Sequence, residues 1–263
     1  MRPLSFNQAT AKYWPLVEVV KGCEGAGVRH VGLWREPVEE YGLARSAALV
    51  RDAGLTVTSL CRGGFFGADD WFDNNRRALD ECAELGAPAL VLVCGGLFGR
   101  TLADARGRVA AGLAALAPYA LDVGVTLAVE PMHPMFTADR SVVASLSGAL
   151  DLCEPYPAEA VGITLDTYHV WWDEQVLPLI GANGDRIACF QLADWVVPLP
   201  QDVLVGRGLP GSGHVDFTPL VEAVLATGYD RPIEVEVFNQ DLWNRPGEEI
   251  LKDTIAAYES VMT

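Results

Sequence analysis

The 263-residue sequence predicts an α/β protein, a single (β/α)8 TIM barrel spanning residues 1–263, and three observations carry that expectation. Short runs rich in Val, Ile and Leu alternate with longer amphipathic stretches, eight of each. Most of the short runs are almost continuously apolar, as parallel strands must be when helices cover one face and the barrel interior the other. Glycine recurs at or near the places where the chain returns from helix to strand (Gly54, Gly86, Gly124, Gly162 and Gly228). The rival, an open doubly wound nucleotide-binding sheet, lacks the Gly-x-Gly-x-x-Gly turn after its first strand.

The elements follow in order. Strand Leu4–Phe6 leads to a helix over Tyr13–Glu24. His30–Trp34 leads to Val38–Ala53, ended by Gly54, and Thr56–Cys61 to Ala68–Leu85, ended by Gly86. Ala89–Cys94 precedes the long amphipathic stretch Leu102–Asp122, ended by Gly124, and Thr126–Glu130 precedes Arg140–Cys153. Gly162–Asp166 is paired with Glu174–Ile180, Ala188–Leu192 with Phe217–Ala226, and Ile233–Phe238 with Gly247–Val261. No linker or low-complexity segment divides the chain. One connection is irregular: Trp195–Gly213, after the seventh strand, far exceeds the usual two to six residues of such loops. It falls on the face where barrel enzymes keep their chemistry, so it is a functional candidate.

Composition narrows the function. Half of the residues are hydrophobic and seven are Trp, which excludes a disordered chain. A net charge of −16, from 35 acidic and 19 basic residues, makes nucleic acid a poor partner because the surface repels phosphate. No apolar run reaches the roughly 18 residues of a membrane span. Met1 to Ala11 lacks a basic segment followed by an apolar one, so no signal peptide is expected. The six cysteines (Cys23, Cys61, Cys82, Cys94, Cys153 and Cys189) are scattered without a Cys-x-x-Cys pair. They read as core thiols, and a cytoplasmic location is expected.

Acids at strand ends carry the chemical signal. Glu130, Asp166 and Asp194 close apolar runs, and Glu234 and Glu236 alternate within the last strand, which sends both to the same side. An unpaired carboxylate facing a dry barrel interior is very costly, so it needs a cation. A single such acid can pair with an arginine; several converging on one mouth point to a divalent metal. Glu236 is nearer the mouth and is assigned to the site, while Glu234, about 6.5 Å deeper, reads as a supporting acid. Of the four histidines, His133 and His169 lie just past strand ends on the catalytic face, His214 ends the long loop, and His30 opens a strand at the opposite face.

Five short pieces in the right order give the chain a family likeness: Glu130-Pro-Met-His-Pro-Met, Leu165-Asp-Thr-Tyr-His169, Gln191-Leu-Ala-Asp194, Gly211-Ser-Gly-His-Val-Asp216 and Glu234-Val-Glu-Val-Phe238. The sequence resembles the xylose isomerase-like barrel superfamily of sugar isomerases and epimerases over most of its length. The resemblance implies one divalent metal, carried over to Glu130, Asp166, Gln191 and Glu236. Gln191 departs from the family's histidine, and its carbonyl oxygen shifts the expected preference toward Mn²⁺ or Mg²⁺ and away from zinc. The implied activity is isomerisation or epimerisation of a sugar or keto-polyol by proton abstraction next to a carbonyl, through an enediolate. Glu130 and Glu236 are the implied acid–base pair; His169 resembles the family histidine that hydrogen-bonds substrate oxygens. His133 is a further candidate catalytic group.

Candidate substrate-binding residues are Trp34, Arg62, Arg207, His214 and Trp195, with Phe66 and Trp243 as further aromatics near the mouth and Arg35 as a poorer third cation. Arg62 and Arg207 are the positions suited to a substrate phosphate, although a neutral sugar or keto acid is equally compatible. Three alternatives differ in class. DNA-repair endonucleases share the barrel, but four histidines and the acidic balance do not supply their three-metal cluster or basic crescent. A metal-dependent lyase, such as a C-glycoside deglycosidase acting on 3-keto-glycosides, would use the same carboxylates and admits a small second subunit. A non-catalytic sugar-binding barrel would make Gln191 the mark of a decayed site. A homo-oligomer is compatible with aromatic mouth loops.

Overall fold

Parallel strands β1 (Leu4–Asn7), β2 (His30–Trp34), β3 (Thr56–Gly64), β4 (Ala89–Val93), β5 (Thr126–Val129), β6 (Val161–Asp166), β7 (Ile187–Leu192) and β8 (Ile233–Val235) close into a barrel in a computed structural model. Each pairs with its neighbours in sequence, and β8 closes the ring against β1. The structure describes residues 2–262; Met1 and Thr263, the ends of the expected domain, lie outside the described residues. The helices are α1 (Leu16–Ala26), α2 (Arg35–Tyr41), α3 (Leu43–Asp52), α4 (Trp71–Leu85), α5 (Leu102–Asp122), α6 (Leu146–Cys153), α7 (Thr167–Val170), α8 (Val176–Ala182), α9 (Phe217–Ala226), α10 (Gln240–Trp243) and α11 (Gly247–Val261).

One core joins barrel and helices. Val31, Leu60, Leu90, Leu92 and Leu127 from the strands pack with Val19, Leu79, Leu113, Leu116 and Val224 from the helices, all fully or nearly fully buried. Ala89, Ala128 and Ala188 form a separate cluster, and Ala128 lies on the same inward face as Glu130, two residues on. Above them Glu234 accepts hydrogen bonds from Asn7 (2.9 Å), Thr58 (2.9 Å), Cys189 (3.2 Å) and Gln191 (3.3 Å). The supporting acid is therefore satisfied by neutral donors, and Gly32 makes the room: a Cβ there would meet Glu234 Oε2 at 2.5 Å. All six cysteines are buried and free; burial pushes the Cys23 and Cys153 thiols up to about 12, so neither is a nucleophile at neutral pH.

Several boundaries differ from expectation, each for a local reason. Val38–Ala53 is two helices, because Gly42 at φ 99° turns the chain between α2 and α3. Helix α1 starts only after Pro15, and α4 at Trp71 rather than Ala68. Residues 140–145 are turn, single bridge and loop rather than helix: Val142 N–H donates to Gly95 O (2.9 Å) and Met132 N–H to Val143 O (3.0 Å), so buried valines hold this stretch against the mouth. Helix α6 then begins behind Ser145, whose Oγ accepts the Gly148 N–H at 3.1 Å. The long connection after β7 folds into a short antiparallel ribbon, Asp194–Trp195 against Arg207–Gly208.

Candidate active site

Glu130 and Glu236 occupy equivalent places, each the first residue beyond its regular strand. Both stay in the barrel ladder: Glu130 N–H donates to Leu92 O and Glu236 N–H to Leu192 O, each at 3.2 Å. Their carboxylates, together with Cys61, Val93 and Arg207, line a cavity of about 410 Å³ at the C-terminal mouth, walled by Trp34, Met132, Leu204 and Phe238. Asp166 ends β6, its Oδ1 accepting the Tyr168 N–H at 2.9 Å. That bond starts the single turn α7, which carries His169 back over the barrel.

Arg207 was expected at the mouth as a phosphate-binding candidate; it sits instead among the acids. Its Nη1 donates to Asp166 Oδ2 (2.7 Å) and Glu236 Oε2 (3.1 Å), and only 2% of its surface is exposed. The long loop is pinned to deliver it, with Arg207 N–H donating to Phe238 O (3.3 Å) and Asn239 Nδ2 to Arg207 O (2.9 Å). The physical reason is charge: three buried carboxylates meet at this floor, and a guanidinium bridges two of them.

Burial dominates the protonation of the site. It pushes the Glu130 carboxyl well above its ordinary value, with the charges of Asp166 and Glu236 adding to the effect. Glu236 is pushed up to about 8 by burial, against the pull of Arg207, and Asp166 is raised by burial while Arg207 opposes. His169 is held well below its ordinary value, first by burial and then by Arg207 and His133, so it is neutral. Its Nδ1 faces the His133 backbone N–H at 3.1 Å, and Arg207 Nη2 is placed to donate to Nε2. That nitrogen lies 3.8 Å from Asp166 Oδ2, 4.0 Å from Glu130 Oε1 and 3.2 Å from Arg207 Nη2.

The donor set fits a hard divalent cation. Gln191 Oε1 and Glu236 Oε1 are buried with no hydrogen-bond partner, an arrangement costing about 1–3 kcal/mol per group unless something binds there. Gln191 is held at its other end, Nε2 donating to Glu234 Oε2, which leaves the carbonyl oxygen as the free acceptor. Ligand atoms of Glu130, Asp166 and His169 lie within 4.8 Å of one another. His169, expected as a catalytic group that contacts substrate oxygens and not as a ligand, is as close to the other two as a ligand would be.

Other expected site residues fall in different places. Trp34 and Arg62 line the cavity, Trp34 with its Nε1 donating to Asn7 Oδ1 at 3.1 Å. The His133 ring does not line it; the ring packs 5.0 Å from Trp195 and 5.4 Å from Trp172, and the residue reaches the site through the backbone N–H that orients His169. Trp195 stacks on Tyr168 at 4.9 Å behind the floor instead of facing substrate. His214 is exposed and closes the loop with its backbone, N–H to Trp195 O at 3.0 Å. Phe66 and Trp243 are buried, and Arg35 is spent on Glu81 and Asn74. Asp194 accepts backbone N–H groups within the loop rather than facing the acids. Sequence reading missed Lys12 and Arg140, which line the same cavity; nothing in their local pattern marks them.

A closed parallel barrel with acids gathered at the C-terminal ends of its strands defines a (β/α)8 enzyme. The chain belongs to the xylose isomerase-like TIM barrel family, whose model matches residues 20–261, and it is an enzyme of that superfamily. It is 28% identical to an L-ribulose 3-epimerase of Methylomonas sp. (strain DH-1) over 81% of this chain and 70% of that protein. It is 32% identical to a 3-dehydroshikimate dehydratase of Pseudomonas aeruginosa over 85% of this chain, which spans 36% of that longer protein. The crystal structure of protein SMc04130 from Sinorhizobium meliloti 1021 superposes with a TM-score of 0.94 at 40% identity, covering 98% of both chains. No helix among the described residues is long and apolar enough to cross a membrane.

Proposed function

We propose that this enzyme removes a proton from the carbon beside the carbonyl of a sugar-like keto-polyol and returns it, as an isomerase or epimerase. Glu130, Asp166, Gln191 and Glu236 hold one divalent ion, Mn²⁺ or Mg²⁺, in this reading. The observation that carries it is the meeting of Glu130 and Glu236, at the ends of β5 and β8, in one cavity, with Glu236 Oε1 and Gln191 Oε1 both buried and without a partner. A divalent ion bound there supplies positive charge that polarises a carbonyl and offsets the charge left by proton loss.

The chain's own groups do the rest. Glu236 takes the proton, its carboxylate ionised for that role when the ion is bound. Glu130, lining the same cavity, returns a proton to the substrate. His169, held neutral by burial, contacts a substrate oxygen with its imidazole, its orientation fixed by the His133 N–H. Trp34 and Phe238 present an aromatic wall at which sugar C–H groups can pack. The similarity to an L-ribulose 3-epimerase supports proton return.

A second reading shares the first step: after proton removal a hydroxyl on the next carbon leaves as water. The similarity to a 3-dehydroshikimate dehydratase favours it. Deuterium incorporation followed by NMR in heavy water with Mg²⁺, across ketoses, inositol ketones, cyclic keto acids and 3-keto-glycosides, tests both. Exchange at the carbon beside the carbonyl is expected, and Glu236→Gln should slow it by about 10²–10⁴-fold. A new conjugated enone would select dehydration, and free aglycone from a 3-keto-glycoside would select the lyase. Exchange with none of these compounds, with or without ion, would overturn the proposal.

A further inference from the structure

The mouth of the catalytic cavity carries charge opposite in sign to that of the molecule. Against a net charge of −16, four of the 19 basic residues line this one cavity: Lys12, Arg62, Arg140 and Arg207. Arg207 is spent on the floor acids. The other three come from separate parts of the mouth: Lys12 after β1, Arg62 at the end of β3, and Arg140 after β5. Apart from the floor acids, Glu36 is the one acid among the described residues that lines the cavity.

None of the three cations is consumed by a partner within it. Arg62 Nη2 lies 3.9 Å from Glu36 Oε1, beyond hydrogen-bond distance, and that carboxylate is 65% exposed. The guanidinium is backed by the Phe65 ring, 4.6 Å from its centroid, which holds it in place without neutralising it. Arg140 Nε is 3.5 Å from Asp139, its chain neighbour, in a solvent-screened pair of small worth. Lys12 Nζ stands 4.7 Å over the Trp243 ring. Cations beside low-dielectric aromatic walls focus a positive potential on the opening, and an anionic ligand gains both in arrival and in orientation.

We propose that Arg62, with Lys12 and Arg140, forms an anion subsite, and that the substrate is a keto-polyol bearing an oxyanion, carboxylate or phosphate, on the part that faces the mouth. This rests on the reading that the cavity is the catalytic one, and it names the substrate class of that site. The acids below take the carbonyl end; the cations above fix which end enters first.

Titration calorimetry in the presence of Mg²⁺ tests it with fructose, 5-ketogluconate and fructose 6-phosphate, a neutral ketose, a carboxylate and a phosphate. At least one anion should bind about tenfold tighter than fructose, and raising salt from about 20 to about 200 mM should weaken the anion alone. Arg62→Gln should abolish the preference, and Arg62→Lys, which keeps the charge, should retain most of it. The tighter of the two anions identifies the group. Fructose binding as tightly as both anions, an equal loss for all three in Arg62→Gln, or no anion binding up to about 10 mM would overturn the subsite. Tight anion binding that depends on Arg62, with no proton exchange in any compound, would leave the subsite standing and remove the catalytic reading instead.

Discussion

Gln191 concentrates the question of the metal in one side chain. Its amide is anchored at Nε2 by Glu234, and its buried Oε1 has no partner, so the fold presents a carbonyl oxygen where the family resemblance implies an imidazole. Oxygen suits Mg²⁺ or Mn²⁺, whereas imidazole nitrogen suits zinc. Gln191→His should therefore raise zinc retention relative to manganese by about tenfold or more, read as metal content after dialysis against equal concentrations of both ions. An unchanged ratio would mean that this position does not touch the ion. At this scale the acids were legible in sequence, because Glu130, Asp166 and Glu236 interrupt apolar strands at an obvious energetic cost. Arg207 was visible only as a basic residue in a long loop. Its partner Asp166 lies 41 residues away, and that pairing exists only once the barrel has closed.

The connection after β7 is the element that assembles the floor. Asp194 Oδ1 accepts the N–H groups of Trp195 (2.8 Å) and Val215 (2.9 Å), and Oδ2 that of Gly213 (2.7 Å). One carboxylate thus ties both ends of the loop that carries Arg207. Asp194→Ala leaves these donors without their acceptor and should cost about 3 kcal/mol in urea denaturation, while Asp194→Asn, with one carbonyl oxygen remaining, should cost less. A wild-type midpoint in the alanine variant would show that the loop is held elsewhere. Among elements, α5, α9 and α11 have the bounds the periodicity predicts, and β2 does also. Apolar spacing marks the middle of an element well, since it reports the buried face. The ends depend on tertiary bonds that spacing does not contain. Residues 140–145 carry a helical pattern but are claimed by backbone bonds to Gly95 and Met132, and the site gains Arg140 from that exchange.

Across the whole molecule, the buried floor couples protonation, ion binding and folding. Glu236 titrates from an ordinary value of 4.5 to about 8 in the fold. Between those values the folded chain keeps a proton that the unfolded chain has released, so stability falls as pH rises through that window. Glu130 and Asp166 are raised by the same burial and act in the same direction. His169, buried neutral, acts the other way below its ordinary value of 6.5, where the unfolded chain protonates and the fold resists. The acids therefore govern the slope up to about pH 8, above which the buried thiols, raised by the same burial, add to it. Metal-free protein should melt at progressively lower temperature from about pH 6.5 to about pH 8. In Glu236→Gln the slope should flatten, which separates this effect from the general charge of an acidic chain. Added Mg²⁺ should cancel the slope in the wild type, because the ion takes deprotonated carboxylates and binds more tightly as pH rises. Differential scanning calorimetry across that range decides it: a flat wild-type curve without ion would mean that the floor acids are already ionised, and a slope unaffected by Mg²⁺ would place the ion outside this floor.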